Sequence, residues 1–243
     1  MKNRDYQSSS PFGESANLTG ESTNTTGEST NLTGESTNLT GESTNLTGES
    51  TNLTGESTNL TGESTNPWRT LSASEVYDNP WIRLTEYQVL NPSGKPGIYG
   101  KVHFKNLALG IVALDDDGCM GLVGQYRYTI DCYSWEIPEG GGKLDTDPLL
   151  SAQRELLEET GLKAGHWEVL LRMHLSNSVT DEYCIVFLAT DLQQFAAEPE
   201  ETEQLRYLKL PLSEVWLRVK SGEITDAITV AAVQAMMLRK AGL

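Results

Sequence analysis

The amino-acid sequence predicts a mixed α/β (α+β) domain, a mixed sheet sandwiched between helices, preceded by a disordered low-complexity tail. The first observation is a break in composition, because residues 13–66 are almost entirely Gly, Glu, Ser, Thr, Asn and Leu, whereas all five Trp and all three Cys follow Pro67. The second is that apolar residues after Pro67 alternate in some segments and recur at helical spacing in others. We therefore predict a tail over residues 1–66 and one folded domain over residues 67–243.

The tail is a tandem repeat. The unit Gly-Glu-Ser-Thr-Asn-Leu-Thr occurs seven times from Gly13 with small variations, and an eighth copy stops at Asn66. A coiled coil needs two apolar positions in each heptad, whereas this unit has one, and a β-solenoid would gain very little core from it. Because so little apolar surface cannot offset the ordering entropy, we expect the tail to be disordered.

The charge and composition exclude several classes of partner. The chain has 18 Lys and Arg against 34 Asp and Glu, a net charge of −16, and no basic stripe. We therefore expect it to bind neither nucleic acid nor a membrane surface. No apolar run reaches the roughly 18–20 residues that cross a bilayer, and the start lacks the apolar segment of a signal peptide. Three cysteines without a CxxC spacing are typical of a reduced protein, so we expect a cytoplasmic location.

Seven segments of the folded domain have the pattern of strands. Residues 82–90 alternate apolar and polar side chains, and residues 107–114 form a short apolar run typical of a buried strand. The turn signal Asp-Asp-Asp-Gly at 115–118 joins that run to the next strand. The predicted strands are 82–90, 97–104, 107–114, 119–126, 133–142 running into a glycine loop, 183–190 and 205–210.

One helix is indicated by residues at both of its ends. Asp147 can cap its N-terminus, Pro148 suits its first turn, and Gly161 suits its C-terminal end. An apolar stripe at helical spacing, which would pack on the sheet, consists of Leu149, Ala152 and Leu156. Two closing helices are predicted, one around Val215 and one over residues 226–241.

Three glutamates of this helix, Glu155, Glu158 and Glu159, lie at positions i, i+3 and i+4, away from the apolar stripe. Acidic residues on a helix usually form a solvated face, and Arg154 could pair with them. However, three like charges at this spacing repel each other, and hard divalent cations bind to such clusters of oxygen atoms. From the residues alone, a solvated face and a metal site both remain open.

The glycines and the helix together resemble the Nudix box, G-x5-E-x7-R-E-U-x-E-E-x-G-U, where U is apolar. Gly140 and residues 154–162 (Arg-Glu-Leu-Leu-Glu-Glu-Thr-Gly-Leu) match every fixed position but one. The exception is Thr146, in place of the first Glu, which Asp145 or Asp147 could partly replace. The resemblance extends from about Trp68 to the C-terminus and looks most like the ADP-ribose pyrophosphatase branch of the Nudix hydrolases. That branch is indicated by residues 125–127, 135–140, 176–182 and 203–206.

The resemblance implies a Nudix fold and a metal-dependent hydrolysis of a diphosphate. By this resemblance Glu155 and Glu159 hold Mg²⁺ or Mn²⁺, Glu158 is a further ligand or a supporting residue, and the backbone carbonyl of Glu139 completes the set. Such a metal neutralises the charge of a diphosphate and activates water. Arg154 would orient the glutamates by charge-assisted hydrogen bonds.

The resemblance also implies a general base and residues that bind the substrate. It places the base at Glu203, in a late acidic loop. Arg127 matches a position that binds the diphosphate or the terminal ribose, although from the residues alone a surface arginine is an equal alternative. Glu136 and Glu182, in matched segments, are further candidates for binding the substrate. Alternatives for the base are Glu182, Glu198, Glu200 and Glu201.

The sequence therefore predicts a Mg²⁺-dependent enzyme that hydrolyses ADP-ribose or a related nucleoside diphosphate sugar. Two alternatives remain open: a Nudix hydrolase acting on another nucleoside diphosphate compound and, because of Thr146, a catalytically weak domain that binds nucleotides. A third hypothesis makes the repeat an interaction arm. Because this branch commonly dimerises, we also expect a homodimer, with Trp68 and Trp81 in its interface.

Deletion of residues 1–66 tests the predicted tail. Because a disordered tail shares no core with the domain, we expect the melting temperature and the turnover of the remainder to be nearly unchanged. Thermal unfolding and initial rates of the full and shortened chains, measured side by side, check this expectation. A loss of more than about 1 kcal/mol of stability would indicate instead that the tail docks on the domain.

Overall fold

The computed structural model describes residues 66–196 and 204–243, so residues 1–65 of the predicted tail and Glu198, Glu200, Glu201 and Glu203 lie outside the described residues. The described part is a mixed α+β fold, as predicted. Its strands are β1 (Arg69–Asp78), β2 (Ile82–Leu90), β3 (Pro96–Phe104), β4 (Asn106–Ala113), β5 (Cys119–Arg127), β6 (Cys132–Glu136), β7 (Glu139–Lys143), β8 (Leu162–His174), β9 (Tyr183–Gln194) and β10 (Arg206–Pro211). Its helices are α1 (Pro148–Thr160), α2 (Leu212–Ser221) and α3 (Ala227–Lys240). None of these helices has the length and apolar character of a membrane span.

A four-stranded mixed sheet, in the order β7-β4-β9-β8, forms the centre of the fold. Strand β4 pairs parallel with β9 and antiparallel with β7, and β8 pairs antiparallel with β9. Because successive side chains of a strand point to opposite faces, β4 contributes to two cores. On one side Leu109 packs with Leu156 of α1. On the other side Val112 packs with Val215 of α2 and Val233 of α3. The sheet is therefore sandwiched between helices, as the sequence predicts.

Two three-stranded antiparallel sheets complete the fold, in the orders β1-β2-β3 and β10-β5-β6. In the second sheet Gln125 of β5 lies opposite Ser134 of β6. Alternate residues of a strand share a face, and so do residues directly opposite each other on neighbouring strands. Consequently Gln125 and Arg127 of β5 lie on the same face of this sheet as Ser134 and Glu136 of β6.

Three strands of the structure are not predicted by the sequence pattern. All ten residues of β1 are exposed, so that this strand shows no alternation of burial. Strand β8 lies at an edge of the central sheet, and a bulge between Val169 and Leu171 interrupts its alternation. The predicted glycine loop at 140–142 is wrong, because these glycines belong to β7, which pairs with β4. Glycine carries no side chain that could show a strand pattern, so this strand is specified by its partner.

The segment between β8 and β9, residues 175–182, fastens the sheet β1-β2-β3 to the rest of the domain, and we call it the strap. The backbone N–H of Val102 in β3 donates to the carbonyl oxygen of Val179 at 2.9 Å. The hydroxyl of Tyr99 donates to the carbonyl oxygen of Ser178 at 2.7 Å. Backbone pairing of this kind, between distant parts of the chain, fixes where the strap lies.

Asp181 strengthens this attachment. Its Oδ1 accepts a hydrogen bond from the backbone N–H of Phe104 at 3.0 Å, and its Oδ2 lies 2.8 Å from both Lys101 Nζ and His103 Nδ1. Partial burial opposes ionisation of this carboxyl, but the bonds from Lys101, His103 and Phe104 outweigh burial and lower its pKa from 3.8 to about 2. These bonds also fix the backbone just before Glu182, the next residue of the strap.

Candidate active site

Helix α1 begins and ends where the sequence predicts. The Asp147 side chain accepts a hydrogen bond from the backbone N–H of Leu149 at 2.9 Å. Gly161 adopts the left-handed conformation, with φ 71°, and its N–H donates to the carbonyl oxygen of Leu157 at 2.8 Å. A left-handed residue at this position favours glycine, which has no Cβ to clash. These two caps fix the length of the helix that carries the three glutamates.

Thr146, the departure from the Nudix box, is exposed just before this helix. Its hydroxyl lies 3.4 Å from Asp145 Oδ1. Of the two acids proposed as replacements for the missing Glu, Asp147 is engaged as the helix cap. Asp145 is therefore the better candidate.

Arg154 pairs with two of the three glutamates. Its Nη2 lies 2.5 Å from Glu155 Oε1, and its Nη1 lies 2.5 Å from Glu158 Oε2. The same guanidinium reaches the carbonyl oxygen of Gly141 in β7 at 3.5 Å. Because the guanidinium stays charged and forms strong bonds to carboxylates, Arg154 offsets the repulsion between Glu155 and Glu158 and ties both to β7.

Glu159 and Glu155 mark the junction where α1 meets β7. Glu159 is only 6% exposed, and its Oε2 accepts a hydrogen bond from the backbone N–H of Glu139 at 3.0 Å. At the next residue, Gly140, an added Cβ would lie 2.1 Å from Cδ of Glu155. A glycine is therefore needed at 140 for the Glu155 carboxylate to occupy its place, which gives the glycine of the box a physical role.

The side chain of Glu139 lies in a second group of acids. Burial raises the pKa of Glu139 well above its usual range, and the nearby carboxylates of Asp226 and Glu136 raise it further. Asp226 caps α3 by accepting a hydrogen bond from the backbone N–H of Thr229 at 2.7 Å. The Thr229 hydroxyl lies 3.4 Å from Glu139 Oε1. The raised pKa favours the neutral form of the Glu139 carboxyl, which reduces its repulsion with the neighbouring carboxylates.

Arg127 and Glu136 form a bidentate ion pair. Arg127 Nε lies 3.0 Å from each carboxylate oxygen of Glu136, and Arg127 Nη2 also contacts Oε2. Glu136 is 3% exposed, so its charge is almost fully removed from water and needs this partner. The pair holds the Arg127 guanidinium at the surface of a cleft.

This cleft has a volume of about 410 Å³ and brings several predicted residues together. Arg127, Glu139 and Glu182 all line it, and burial raises the pKa of Glu182. Glu136 does not line it but supports Arg127 from the side. The remaining lining residues include two aromatic side chains, Trp81 and Phe104, and Gly140 and Gly141, which connect the cleft to the glutamates of α1.

Within residues 66–196 and 204–243, no three Asp, Glu, His or Cys side chains are arranged as a group that could hold a metal ion. Arg154 contacts Glu155 and Glu158, and Glu159 bonds to the backbone. The chemistry of the donors nevertheless fits a hard divalent cation, since carboxylate oxygens and the neighbouring backbone carbonyl of Glu139 are the ligands that such ions prefer.

Two residues of the candidate active site, Asp226 and Phe104, are not predicted from the sequence. Asp226 was expected only at the start of a helix, and nothing in the sequence pattern connects it with Glu139. Phe104 was expected only as the end of a strand. Both reach the site through tertiary contacts, so residue spacing carried no signal for either.

Known protein families and individual relatives match most of the described chain. The NUDIX domain model matches residues 105–229, and the model of the nucleoside diphosphate sugar hydrolase N-terminal domain matches residues 68–102. The chain is 35% identical over 174 residues to the ADP-ribose pyrophosphatase of Mycobacterium tuberculosis, covering 69% of this chain and 82% of that protein. It is 29% identical over 175 residues to the ADP-ribose pyrophosphatase of Bacillus subtilis, covering 71% and 94%.

The fold agrees with these matches. The crystal structure of an ADP compounds hydrolase superposes with a TM-score of 0.66 at 20% identity, over 72% of this chain and 95% of that chain. The NUDIX match spans more than half of the chain and includes the cleft residues Arg127 and Glu139, helix α1 and Asp226. The chain therefore belongs to the Nudix hydrolase family and is an enzyme of the kind that includes the ADP-ribose pyrophosphatases.

Proposed function

We propose that this chain hydrolyses the diphosphate linkage of ADP-ribose or a related nucleoside diphosphate sugar, with Mg²⁺ or Mn²⁺ as its cofactor. The main support for this proposal is the cleft, because its lining combines aromatic side chains with charged ones. Trp81 and Phe104 offer aromatic surface for a nucleobase, whereas Arg127 offers a cation for a phosphate and Glu139 is bonded to Glu159 of α1. The two relatives named ADP-ribose pyrophosphatase support this substrate class.

The cation would be held by Glu155, Glu158 and Glu159, with the backbone carbonyl of Glu139. When bound, it supplies neutralisation of the diphosphate charge and activation of water. In the described structure Arg154 pairs with both Glu155 and Glu158, so a bound ion would share these two carboxylates with the guanidinium. Because a hard cation prefers such carboxylate oxygens, their presence on one side of α1 supports an ion site over a solvated acidic face.

The other side chains have roles that follow from their positions. Arg127 bonds to Glu136 through Nε and Nη2. Its Nη1 is not part of that pair and can donate to a phosphate oxygen or a ribose hydroxyl. Glu182 lines the cleft and can bind a substrate hydroxyl. Attack of water forms one P–O bond and breaks the bridging P–O bond, which releases two phosphate monoesters. The proposed general base, Glu203, takes the proton of that water.

Two other functions remain as alternatives. A Nudix hydrolase for another nucleoside diphosphate compound would use the same cleft, but the group attached to the second phosphate of its substrate would differ. A catalytically weak nucleotide-binding domain is favoured by Thr146, because the box has lost one acid. Incubation of the chain with Mg²⁺ and a panel of such compounds distinguishes these alternatives, since the binding domain would retain a nucleotide without releasing product.

Replacement of Glu159 and of Glu203 separates the metal site from the base. We expect Glu159→Gln to weaken Mg²⁺ affinity, so that added metal restores part of the rate. We expect Glu203→Gln to lower kcat by roughly 10²–10⁴-fold with little change in metal affinity, because a base acts on the transition state. Initial rates over a Mg²⁺ titration measure both effects.

The control for this pair is Glu168→Gln, a half-buried residue that pairs with Arg239 and does not line the cleft. It should leave both the rate and the metal dependence unchanged. A near-normal kcat for Glu203→Gln would move the base to Glu182, Glu200 or Glu201. An unchanged metal dependence in Glu159→Gln would contradict the metal site on α1.

Alanine at position 140 tests the contact between Gly140 and Glu155. Because the added Cβ would overlap the end of a flexible side chain, we expect the fold to survive while the Glu155 carboxylate moves, lowering kcat/KM by roughly 10²-fold. The matched variant is Gly141→Ala, whose Cβ would meet Asn106 Nδ2 at an ordinary 3.5 Å, and its loss should be about tenfold smaller. Equal losses in the two variants, measured with their melting temperatures, would contradict this role of Glu155.

We also propose that the sheet β1-β2-β3 is covered by a second copy of this chain. All of β1 is exposed, and the sheet and its first turn expose several large apolar side chains. Trp68 lies against Tyr99 in an edge-to-face contact at 5.4 Å. An apolar area of this kind is typical of an interface. The most exposed of these side chains are Leu71, Val76, Tyr77, Trp81 and Ile98.

Light scattering at micromolar concentration tests the dimer. We expect a mass near twice the 26.7 kDa of one chain. Ile98, which is 67% exposed in β3, should be part of the buried surface, so Ile98→Glu should shift the mass towards that of one chain. Leu217→Glu, at a 53% exposed position on α2, is the matched control and should leave the mass unchanged. A fully active wild-type monomer would refute the proposal.

A further inference from the structure

The lining of the cleft comes from two sheets that a single residue joins along the chain. The sheet β1-β2-β3 and its first turn supply Phe104 and Trp81, whereas the central sheet supplies residues such as Asn106 and Gly140. Strand β3 ends at Phe104 and β4 begins at Asn106, so only Lys105 lies between them. Each residue has two backbone dihedral angles that vary easily. This junction therefore does not by itself fix the angle between the two sheets.

The strap provides a second connection between the two sheets, because its backbone pairs with β3. Val102 of β3 and Thr180 of the strap form a parallel bridge. The backbone N–H of Asp181 donates to the carbonyl oxygen of Val102 at 3.2 Å. The strap leads directly into β9 of the central sheet, which begins at Tyr183. It therefore connects β3 to the central sheet independently of the junction between β3 and β4.

Asp181 adds side-chain bonds to this connection, and they lie next to two residues of the cleft. Its Oδ1 accepts a hydrogen bond from the backbone N–H of Phe104 at 3.0 Å, and its Oδ2 lies 2.8 Å from Lys101 Nζ and from His103 Nδ1. Phe104 and Glu182 both line the cleft, whereas Asp181 is not among its lining residues. One carboxylate outside the cleft therefore ties the backbone of Phe104 to the residue that precedes Glu182.

The bond to Phe104 is suited to holding the end of β3 in one place. A backbone N–H at the end of a strand needs an acceptor, and here the acceptor is a carboxylate, which binds more strongly than a neutral oxygen. Lys101 and His103 bind the other oxygen, so the carboxylate is held in one orientation. Without it the end of β3 could shift relative to the strap. A shift of about 1 Å in a residue that contacts substrate is enough to weaken that contact.

We propose that Asp181 is a positioning residue for substrate binding, which sets the place of Phe104 relative to Glu182 in the cleft. This inference rests on the proposed function, in which Phe104 contacts the nucleobase and Glu182 contacts a substrate hydroxyl. With Glu203 as the base, neither contact involves the reacting phosphorus, so both are equally strong in the bound substrate and in the transition state. Loss of such contacts raises KM and leaves kcat nearly unchanged.

Replacement of Asp181 tests the proposal. Asp181→Ala removes both oxygens, and we expect KM for ADP-ribose to rise about tenfold while kcat changes less than about threefold. Asp181→Asn keeps an oxygen for the Phe104 N–H, so KM should rise less than about threefold. Asp181→Ser, whose oxygen is one bond closer to the backbone and cannot reach Phe104, should behave like Asp181→Ala and replaces it if that variant folds poorly. Initial rates over a titration of ADP-ribose at saturating Mg²⁺ measure these effects.

The matched control is Asp115→Ala, because Asp115 has the same kinds of partner and does not line the cleft. Its carboxylate accepts a hydrogen bond from the backbone N–H of Cys119 at 2.8 Å and lies 2.6 Å from Lys209 Nζ. This variant should lower the melting temperature about as much as Asp181→Ala and leave KM unchanged. An equal rise of KM in both variants would identify lost stability as the cause and would overturn the positioning role.

A double-mutant cycle tests whether Asp181 acts through the two residues that line the cleft. In a chain that already carries Phe104→Leu and Glu182→Gln, Asp181→Ala should raise KM less than about twofold, because the contacts that it positions are already lost. The full rise of KM in that chain, or an unchanged KM for Asp181→Ala alone, would overturn the positioning role and leave the proposed hydrolysis intact. A wild-type chain that hydrolyses no nucleoside diphosphate compound would refute the proposed function itself.

Discussion

Repulsion between carboxylates is the constraint on which this site depends. Acids from β6, β7, α1 and the start of α3 meet at one end of the central sheet, and each is stabilised differently. Arg154 bridges two glutamates of α1, the backbone N–H of Glu139 binds Glu159, and Arg127 holds Glu136. Burial raises the pKa of Glu139 itself. A site with so many acids can exist in the folded chain because every negative charge is met by a guanidinium, a backbone donor or a proton.

Much of the fold could be predicted from the sequence where the signal is local. The caps of α1 at Asp147 and Gly161 are set by the residues at those positions, and the alternation in β2 and the apolar run of β4 indicate strands directly. The missed strands lack such a signal. The exposed β1 has no buried face, the bulge in β8 interrupts its period, and the glycines of β7 have no side chains. Their conformation is decided by the strands with which they pair.

The residues of the candidate site can be divided in the same way, into those with a local sequence signal and those without one. The helix face of Glu155, Glu158 and Glu159 follows from residue spacing, and the match to the Nudix box supplies Gly140 and Arg154. The role of Asp226, by contrast, depends on α3 meeting β7 across the core.

Thr229 connects the last helix to the strand pair on which the site is built. Its buried hydroxyl accepts a hydrogen bond from the backbone N–H of Ile137 at 2.9 Å and lies near Glu139. A chain under synthesis leaves the ribosome N-terminus first, so β7 and α1 emerge well before α3. Until α3 arrives, the Ile137 N–H lacks this acceptor and the Val112 side of the central sheet is covered by α2 alone among the helices. A nascent chain therefore carries the glycines of β7 and the glutamates of α1 before α3 completes their surroundings.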